Sequence, residues 1–166
     1  KTGNSKAIDL PRPLNGTPGC HFSFSGLKTA FANRLQKLGG PNAAPVADLA
    51  ASLQAAIADC LADRTKQAMA RFRDEFPPAD RQQPLLVIAG GVAANHYIFN
   101  QLLNNANAAG FQISVPPAIL CTDNAAMIAW AALERLEAPD TLDFVPRPRW
   151  PLDPNASPPP GRGVRQ

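Results

Sequence analysis

The sequence has few cysteines and histidines, the residues that form disulfide bonds in small secreted domains and ligate metals. It contains two histidines and three cysteines, and Cys20, Cys60 and Cys121 are widely spaced with no CxxC pair. This spacing argues against a disulfide framework or a zinc knuckle and fits a reducing cytoplasm. No apolar run approaches the roughly 20 residues that span a membrane. We therefore expect a cytoplasmic protein with no membrane partner.

Several catalytic signatures are also missing. The sequence has no HExxH motif, no Ser/His/Asp arrangement and no GxxxxGK[ST] phosphate-binding loop. The net charge of +3 lies largely in the tail, which neither establishes nor opposes nucleic-acid binding. The 166 residues suffice for one domain. Because the chain begins at Lys1 and not at Met, we expect it to be part of a longer protein.

A strand–turn–helix pattern lies at the centre of the sequence. Residues 85–89 form a continuous apolar run, typical of a strand covered on both faces of a parallel sheet. Gly90 and Gly91 permit a tight turn, and apolar residues then recur at helical spacing over 92–109. A β-rich segment at 111–115 follows, which predicts two parallel strands joined by a right-handed crossover. The expected fold class is α/β, with few parallel strands and several packed helices.

The glycine turn has two interpretations. In open α/β sheets, ligands bind at the carboxyl ends of the strands, where helix N-termini offer free N–H groups and a positive dipole end. Gly90, Gly91 and Asn95 would then contact a nucleotide or phosphate, with Asn95 in the first helical turn. Alternatively, the segment is an ordinary connection between a strand and a helix, because glycine-rich turns of this kind are common.

Two helices are predicted before this unit. The first covers 25–38, with Ser25 as its N-cap and a pair of glycines as its stop. Lys28 and the nearby hydroxyls, including that of Ser25, could hold an anion there, or the lysine is simply solvated. The longer helix covers 48–72, with Asp48 as its cap. We expect a packed interface that buries Leu53, Ile57, Leu102 and Leu103, and we interpret Cys60 and Met69 as core residues.

A last helix is predicted from about residue 122 to 137, and its small residues favour close packing on a sheet. Asp123 lies at its start, where a carboxylate has an ordinary explanation as a helix cap. We expect His21 to be a loop residue and His96 an exposed helix residue. The predicted organisation has three parts: an extended surface lead-in at 1–24, one lobe at 25–152 and a disordered tail at 153–166.

Three motifs occur in a specific order: FSFSGLKTA at 22–30, AGGVAAN at 89–95 and CTDNAAMIAW at 121–130, followed by PRPRWPLD at 146–153. Together they resemble the C-terminal half of the TsaD/Gcp/Kae family, formerly described as O-sialoglycoprotein endopeptidases. The resemblance covers about residues 5–153. It implies part of a lobe of the two-lobed actin/sugar-kinase-like (ASKHA) fold.

The resemblance implies a tRNA N(6)-adenosine threonylcarbamoyltransferase. Such enzymes move a threonylcarbamoyl group from its adenylate to the adenosine next to the anticodon in tRNAs that read ANN codons. Asn95 would contact the adenylate, Gly90 and Gly91 would line its pocket, and Asp123 matches a metal-ligating carboxylate, which favours a ligand over a cap. The nucleotide ligand is therefore threonylcarbamoyl-adenylate or an ATP-like molecule.

This sequence lacks the family's other metal ligands, which are two histidines on one helix of the N-terminal lobe. One carboxylate is a poor site for iron or zinc. We therefore expect the chain alone to bind the metal poorly and to be inactive. No catalytic nucleophile or general base is identified in it.

The implied partners are tRNA and the paralogue and ATPase subunits of a threonylcarbamoylation complex. Two rival functions stay open at the level of sequence. One is an ATPase or sugar kinase of the ASKHA type, and the other is a non-catalytic interaction module.

Overall fold

The computed structural model describes residues 3–77 and 83–137, and beyond them residues 141, 143, 145, 146, 153 and 155. Within these ranges, the helices are α1 (Leu27–Lys37), α2 (Val46–Glu75), α3 (His96–Ala108) and α4 (Ala125–Glu134), and the strands are β1 (Leu85–Val87) and β2 (Gln112–Ser114). Short 3-10 turns at Gly91–Ala94 and Ala118–Leu120 precede α3 and α4. The chain divides into two compact units, one ending at Cys121 and the other beginning at Thr122.

The two strands form a parallel pair, as predicted, with α3 between them in sequence. Leu86 lies opposite Ile113, and the pairing runs from Leu85 to Val87. The hydrogen bond from Ile88 N–H to the Ser114 carbonyl, at 3.0 Å, continues the contact past β1. The α/β class is therefore confirmed, although each strand is shorter than its apolar run suggested.

The helix α2 is the central helix of the first unit. Three apolar clusters lie along it: one with α1 and residues before α1, one with α3, and one with α3 and the sheet. Small side chains allow the approach, since Ala56 and Ala58 of α2 are completely buried. Cys60 and Met69 are buried as well, which confirms their interpretation as core residues.

The residues before α1 are less superficial than predicted. Ile8 and Leu10 belong to the core, and the chain around them is hydrogen-bonded along α2. We call residues 4–20 the lead-in segment. Its bonds to α2 join Asn4 N–H to Asp48 (2.7 Å), Ile8 N–H to Ser52 Oγ (3.2 Å), Arg12 Nε to Asp59 (2.9 Å) and Gly16 N–H to Asp63 (3.2 Å). The segment is thus a series of turns and bends that is hydrogen-bonded at intervals to one helix.

Both predicted N-caps of the first two helices are wrong. The helix α1 begins after Gly26, which has a left-handed φ of 82° and makes no side-chain cap. Ser25 stands one position too early and donates its N–H to Ser23 Oγ at 3.2 Å. The helix α2 begins after Pro45, so Asp48 lies inside its first turn, where a carboxylate complements the helix dipole. The predicted stop of α1 is confirmed, because Gly39 and the glycine after it both have positive φ.

The predicted core is confirmed in part. Leu102 is buried, whereas Leu53, Ile57 and Leu103 are half-buried. All ten residues of α4, which belongs to the second unit, are exposed. Among the described residues, no helix has the length and apolarity needed to cross a membrane.

Candidate functional site

After the carboxyl end of β1, the chain passes through a turn whose backbone conformation only glycine adopts readily. Gly90 has φ 83° and ψ 174°, a region closed to residues with a Cβ. The chain then enters the 3-10 turn, where Ala93 N–H donates to the Gly90 carbonyl at 3.0 Å. Gly90 and Gly91 are both exposed, and a Cβ built on either would meet open space. The backbone here is therefore accessible to a ligand.

Asn95 is not in a first helical turn, as the sequence suggested, but is the N-cap of α3. Its backbone is extended, with φ −83° and ψ 106°, so the 3-10 turn and α3 are separate elements. Its Oδ1 accepts hydrogen bonds from Tyr97 N–H at 3.0 Å and Ile98 N–H at 3.3 Å. Within the described chain no group accepts a hydrogen bond from its Nδ2. The cap therefore fixes the amide and leaves Nδ2 available as a donor.

The structure brings the first two motifs together at one groove. This groove, of about 430 Å³, is lined by Phe24, Lys28 and Phe31 from one motif and the start of α1, and by Val92 from the 3-10 turn. Apolar side chains of α2, together with Leu27, complete its lining. Lys28 is the charged residue among those that line it, and it is exposed. Ser25 is exposed beside α1 but is not part of this lining.

Two of the three chain segments that line the groove carry no acidic residue; the third, α2, contributes Leu53, Ile57 and Leu61 and carries Asp59 between the last two. No aspartate or glutamate occurs from Leu10 to Ala47, and from Pro84 to Thr122 there is no Asp, Glu, Lys or Arg. His96 in the second stretch is an exposed residue of α3 and His21 lies in a loop, as predicted. An anion at this surface therefore meets Lys28 and no carboxylate from either of these two stretches.

Asp123 belongs to the second unit and is not a helix cap. The N-cap of α4 is Asn124, whose Oδ1 accepts from Met127 N–H at 3.1 Å and whose Nδ2 donates to the Thr122 carbonyl at 2.8 Å. The ordinary explanation for the carboxylate therefore fails. Asp123 is exposed, and its carboxylate forms no hydrogen bond or ion pair with a described residue.

The described residues do not by themselves fit a metal site. Nowhere in 3–77, 83–137 or the separate described residues do three His, Cys, Asp or Glu side chains come together in a suitable group. Asp123 offers carboxylate oxygens alone, whereas iron and zinc sites normally have at least three protein ligands. The three cysteines are free thiols, and burial raises the pKa of the Cys60 thiol.

The sequence analysis missed Arg64, which is only 1% exposed. It donates to the Thr17 carbonyl at 2.9 Å, to the Gly19 carbonyl at 3.0 Å and to the Asp63 carboxylate, and so holds the lead-in segment just before the first motif. The hydrogen bond from Arg64 to the Asp63 carboxylate lowers the pKa of Asp63, and the hydrogen bond from Gly16 N–H acts in the same direction. A signal was available, because Arg64 interrupts the apolar stripe of α2 four residues after the buried Cys60.

The fold and the site together define the class only broadly: an α/β protein whose glycine turn at a strand end opens beside an apolar groove lined by one lysine. Comparison of the sequence identifies the family. The family model described as "TsaD: tRNA N6-adenosine threonylcarbamoyltransferase" matches residues 1–130, so the chain belongs to the TsaD family.

Curated relatives agree with this assignment. A tRNA N6-adenosine threonylcarbamoyltransferase of Brucella anthropi is 52% identical over 165 residues, and those of Brucella suis and Brucella ovis are each 50% identical. Each alignment covers 98% of this chain and 45% of the relative. The chain therefore spans slightly less than half the length of these relatives.

Proposed function

We propose that this chain supplies the nucleotide-binding part of a transferase that modifies tRNA. The complete protein would move a threonylcarbamoyl group from threonylcarbamoyl-adenylate to N6 of the adenosine next to the anticodon in ANN-decoding tRNAs. Family membership and the names of the relatives support this activity. They also favour it over an ASKHA-type ATPase or sugar kinase. The single observation that carries the proposal is the exposed glycine turn followed by an asparagine with a fixed, unused amide donor.

The proposed binding mode follows from the groups that are free at this turn. Gly90 and Gly91 let the phosphate of the adenylate approach the backbone closely, and the N-terminus of α3 favours its negative charge. Asn95 donates from Nδ2 to an oxygen of the adenylate. Lys28 and, more weakly, Ser25 are proposed to add charge and a hydroxyl from the first motif.

In the proposed reaction, the adenosine N6 attacks the carbonyl carbon of the threonylcarbamoyl group and a new C–N bond forms. The bond from that carbon to the phosphate oxygen breaks, adenosine monophosphate leaves, and N6 loses a proton. This chain offers no nucleophile of its own for the step. Its contribution is to orient the adenylate and stabilise the charge of the leaving phosphate.

The proposed fold of the complete protein is the two-lobed ASKHA type. Residues 25–152 are proposed to form part of one lobe, preceded by residues 1–24 and followed by a tail at 153–166. Asp123 is proposed as one ligand of a single iron or zinc ion, whose other ligands come from outside the described residues. Because the described residues do not hold a metal alone, no chemical step is assigned to it. Proposed partners are tRNA and the paralogue and ATPase subunits of a cytoplasmic threonylcarbamoylation complex.

The test uses the complete protein and the substitution Asn95→Asp. Aspartate keeps an oxygen that caps α3 but replaces the Nδ2 donor with a second acceptor. We expect stability to change little. Affinity for a hydrolysis-resistant analogue of threonylcarbamoyl-adenylate should fall about tenfold or more, because a hydrogen bond to the ligand becomes a repulsion. The rate of tRNA modification should fall with it.

The matched control is Asn104→Asp, the same substitution at an exposed position of α3. It should leave analogue binding and transfer unchanged. If Asn95→Asp binds the analogue and modifies tRNA as the parent does, the proposed adenylate site is wrong. If the complete parent protein binds the analogue but never modifies tRNA in the presence of its partners, the interaction-module alternative is favoured.

A further inference from the structure

The groove beside the glycine turn has walls that remain partly exposed to solvent. Phe24 and Val92, which come from the two motifs that line it, are 42% and 51% exposed. Small-ligand sites usually bury most of their ligand. Apolar walls that stay half exposed suit instead a flat group presented by a large partner, whose own surface closes the site.

The chemistry of the walls favours a nucleobase as that group. Phe24 and Phe31 provide aromatic surface, and Val92 provides an apolar edge. A groove of about 430 Å³ has room for one planar base. Proteins bind bases of single-stranded nucleic acids by stacking them on aromatic side chains beside a positively charged path.

The charge of the chain segment that contributes Lys28 to the groove favours RNA over a protein partner. Lys28 lies at the groove, and the 38-residue stretch from Leu10 to Ala47 that includes it contains basic but no acidic residues. A polyanion that passes over this surface is attracted by Lys28 and meets no carboxylate from that stretch. This complementarity applies to the phosphates that flank a base in an RNA loop.

We propose that this groove holds the acceptor adenine of the tRNA, turned out of its stack and seated against Phe24. The proposal rests on the proposed function, because it takes the adenylate to lie at the adjoining glycine turn. Val92 belongs to the same 3-10 turn that follows Gly90, so a base in the groove lies next to the donor. An amine that is to be modified must be exposed in this way, as it is for other enzymes that act on a base.

The experiment uses the complete protein and a short anticodon stem-loop RNA, prepared either with adenosine at the acceptor position or with an abasic nucleotide there. Phe24→Ala removes the stacking surface, and because Phe24 is half exposed the fold should tolerate it. We expect this variant to bind the adenosine RNA about 10-fold or more weakly than the parent. Parent and variant should bind the abasic RNA equally.

Two further variants keep the result interpretable. Phe24→Trp retains an aromatic surface and should keep the preference for adenosine over the abasic RNA. Phe76→Ala removes an exposed phenylalanine outside both motifs and should change neither affinity. If Phe24→Ala and Phe24→Trp fold but weaken both RNAs equally, Phe24 does not contact the base.

The outcomes also separate this proposal from the proposed function. If Phe24→Ala weakens the adenylate analogue and leaves RNA binding intact, the groove is the donor's base pocket and the acceptor proposal is overturned. If Asn95→Asp has no effect while the base-dependent loss at Phe24 appears, RNA binding at the groove stands and the adenylate site is wrong. If Asn95→Asp behaves as expected and Phe24→Ala has no effect on either RNA, the acceptor proposal alone fails.

Discussion

The helices α3 and α4 begin in the same way and end up in opposite environments. Each is preceded by a 3-10 turn and capped by an asparagine with an extended backbone, Asn95 for α3 and Asn124 for α4. Each asparagine Oδ1 accepts the N–H of a residue in the first helical turn. The start of a helix is thus set by local chemistry that the sequence carries within a few residues.

Burial separates the two helices. In α3, Ile98, Leu102 and Ala106 are buried, because α2 offers an alanine-rich surface and the sheet covers the far end. The helix α4 is richer in apolar residues, yet Ile128 and Trp130 are 70% and 66% exposed. Apolar content therefore does not predict which helix is buried, because burial depends on a partner surface that lies far away in sequence.

The largest expected effect tests this difference in burial. Leu102→Ala should lower the free energy of unfolding by about 2–5 kcal/mol, since it leaves a cavity beside Ala58 and Ile98. The matched substitution Leu133→Ala in α4, at a side chain 61% exposed, should change it by less than about 0.5 kcal/mol. Urea denaturation of the three proteins measures both values, and equal losses would show that α4 is as well packed as α3.

The second test concerns the caps. Asn95→Ala should lower the free energy of unfolding by about 1 kcal/mol, because two N–H groups of α3 lose their acceptor. Asn124→Ala should leave that value almost unchanged and instead speed the hydrogen exchange of the Met127 amide. Substitution by aspartate should restore the parent behaviour at both positions. A global loss from Asn124→Ala as large as that from Asn95→Ala would contradict the comparison.

The sequence predicted the existence of the elements better than their ends. Apolar periodicity located every helix, and the run at 85–89 and the β-rich segment at 111–115 located the two parallel strands. The ends were wrong where two capping residues competed: Gly26 begins α1 although Ser25 precedes it, and Asn124 begins α4 although Asp123 precedes it. Neighbouring residues with similar capping propensity cannot be ranked without the backbone dihedrals.

The site was predictable as separate motifs and not as a surface. The residues Gly90, Gly91 and Asn95 were identified together, but the role of Asn95 as a cap depends on the break between the 3-10 turn and α3. The groove between Phe24 and Val92 was not predictable, because it forms only when α2 brings residues 68 positions apart to one place. The bonds of Arg64 to the lead-in segment were missed for the same reason.

The smallest expected effect on the free energy of unfolding concerns the ion pair of Arg64 and Asp63, which stabilises the first unit in addition to apolar packing. The Arg64 guanidinium, which is almost fully buried, donates to the Asp63 carboxylate and lowers the pKa of that carboxyl below its ordinary value of 3.8. In the unfolded chain the carboxyl takes up its proton at a higher pH than in the folded one. The stabilisation is therefore present in full above the unfolded pKa, near 4, and is lost as the pH falls through the folded pKa.

This sign gives a specific expectation for Asp63→Asn. The asparagine keeps an oxygen for Arg64 but cannot ionise, so the variant should be less stable than the parent at pH 7. The difference in unfolding free energy should stay constant down to about pH 5 and shrink as the pH falls below about 4. Asp9→Asn, at an exposed position of the lead-in segment, controls for the loss of one charge. If the difference in unfolding free energy between the parent and Asp63→Asn grows below pH 4, the carboxylate does not stabilise the fold through Arg64. The lead-in segment is then held to α2 by Ile8, Leu10 and its other hydrogen bonds alone.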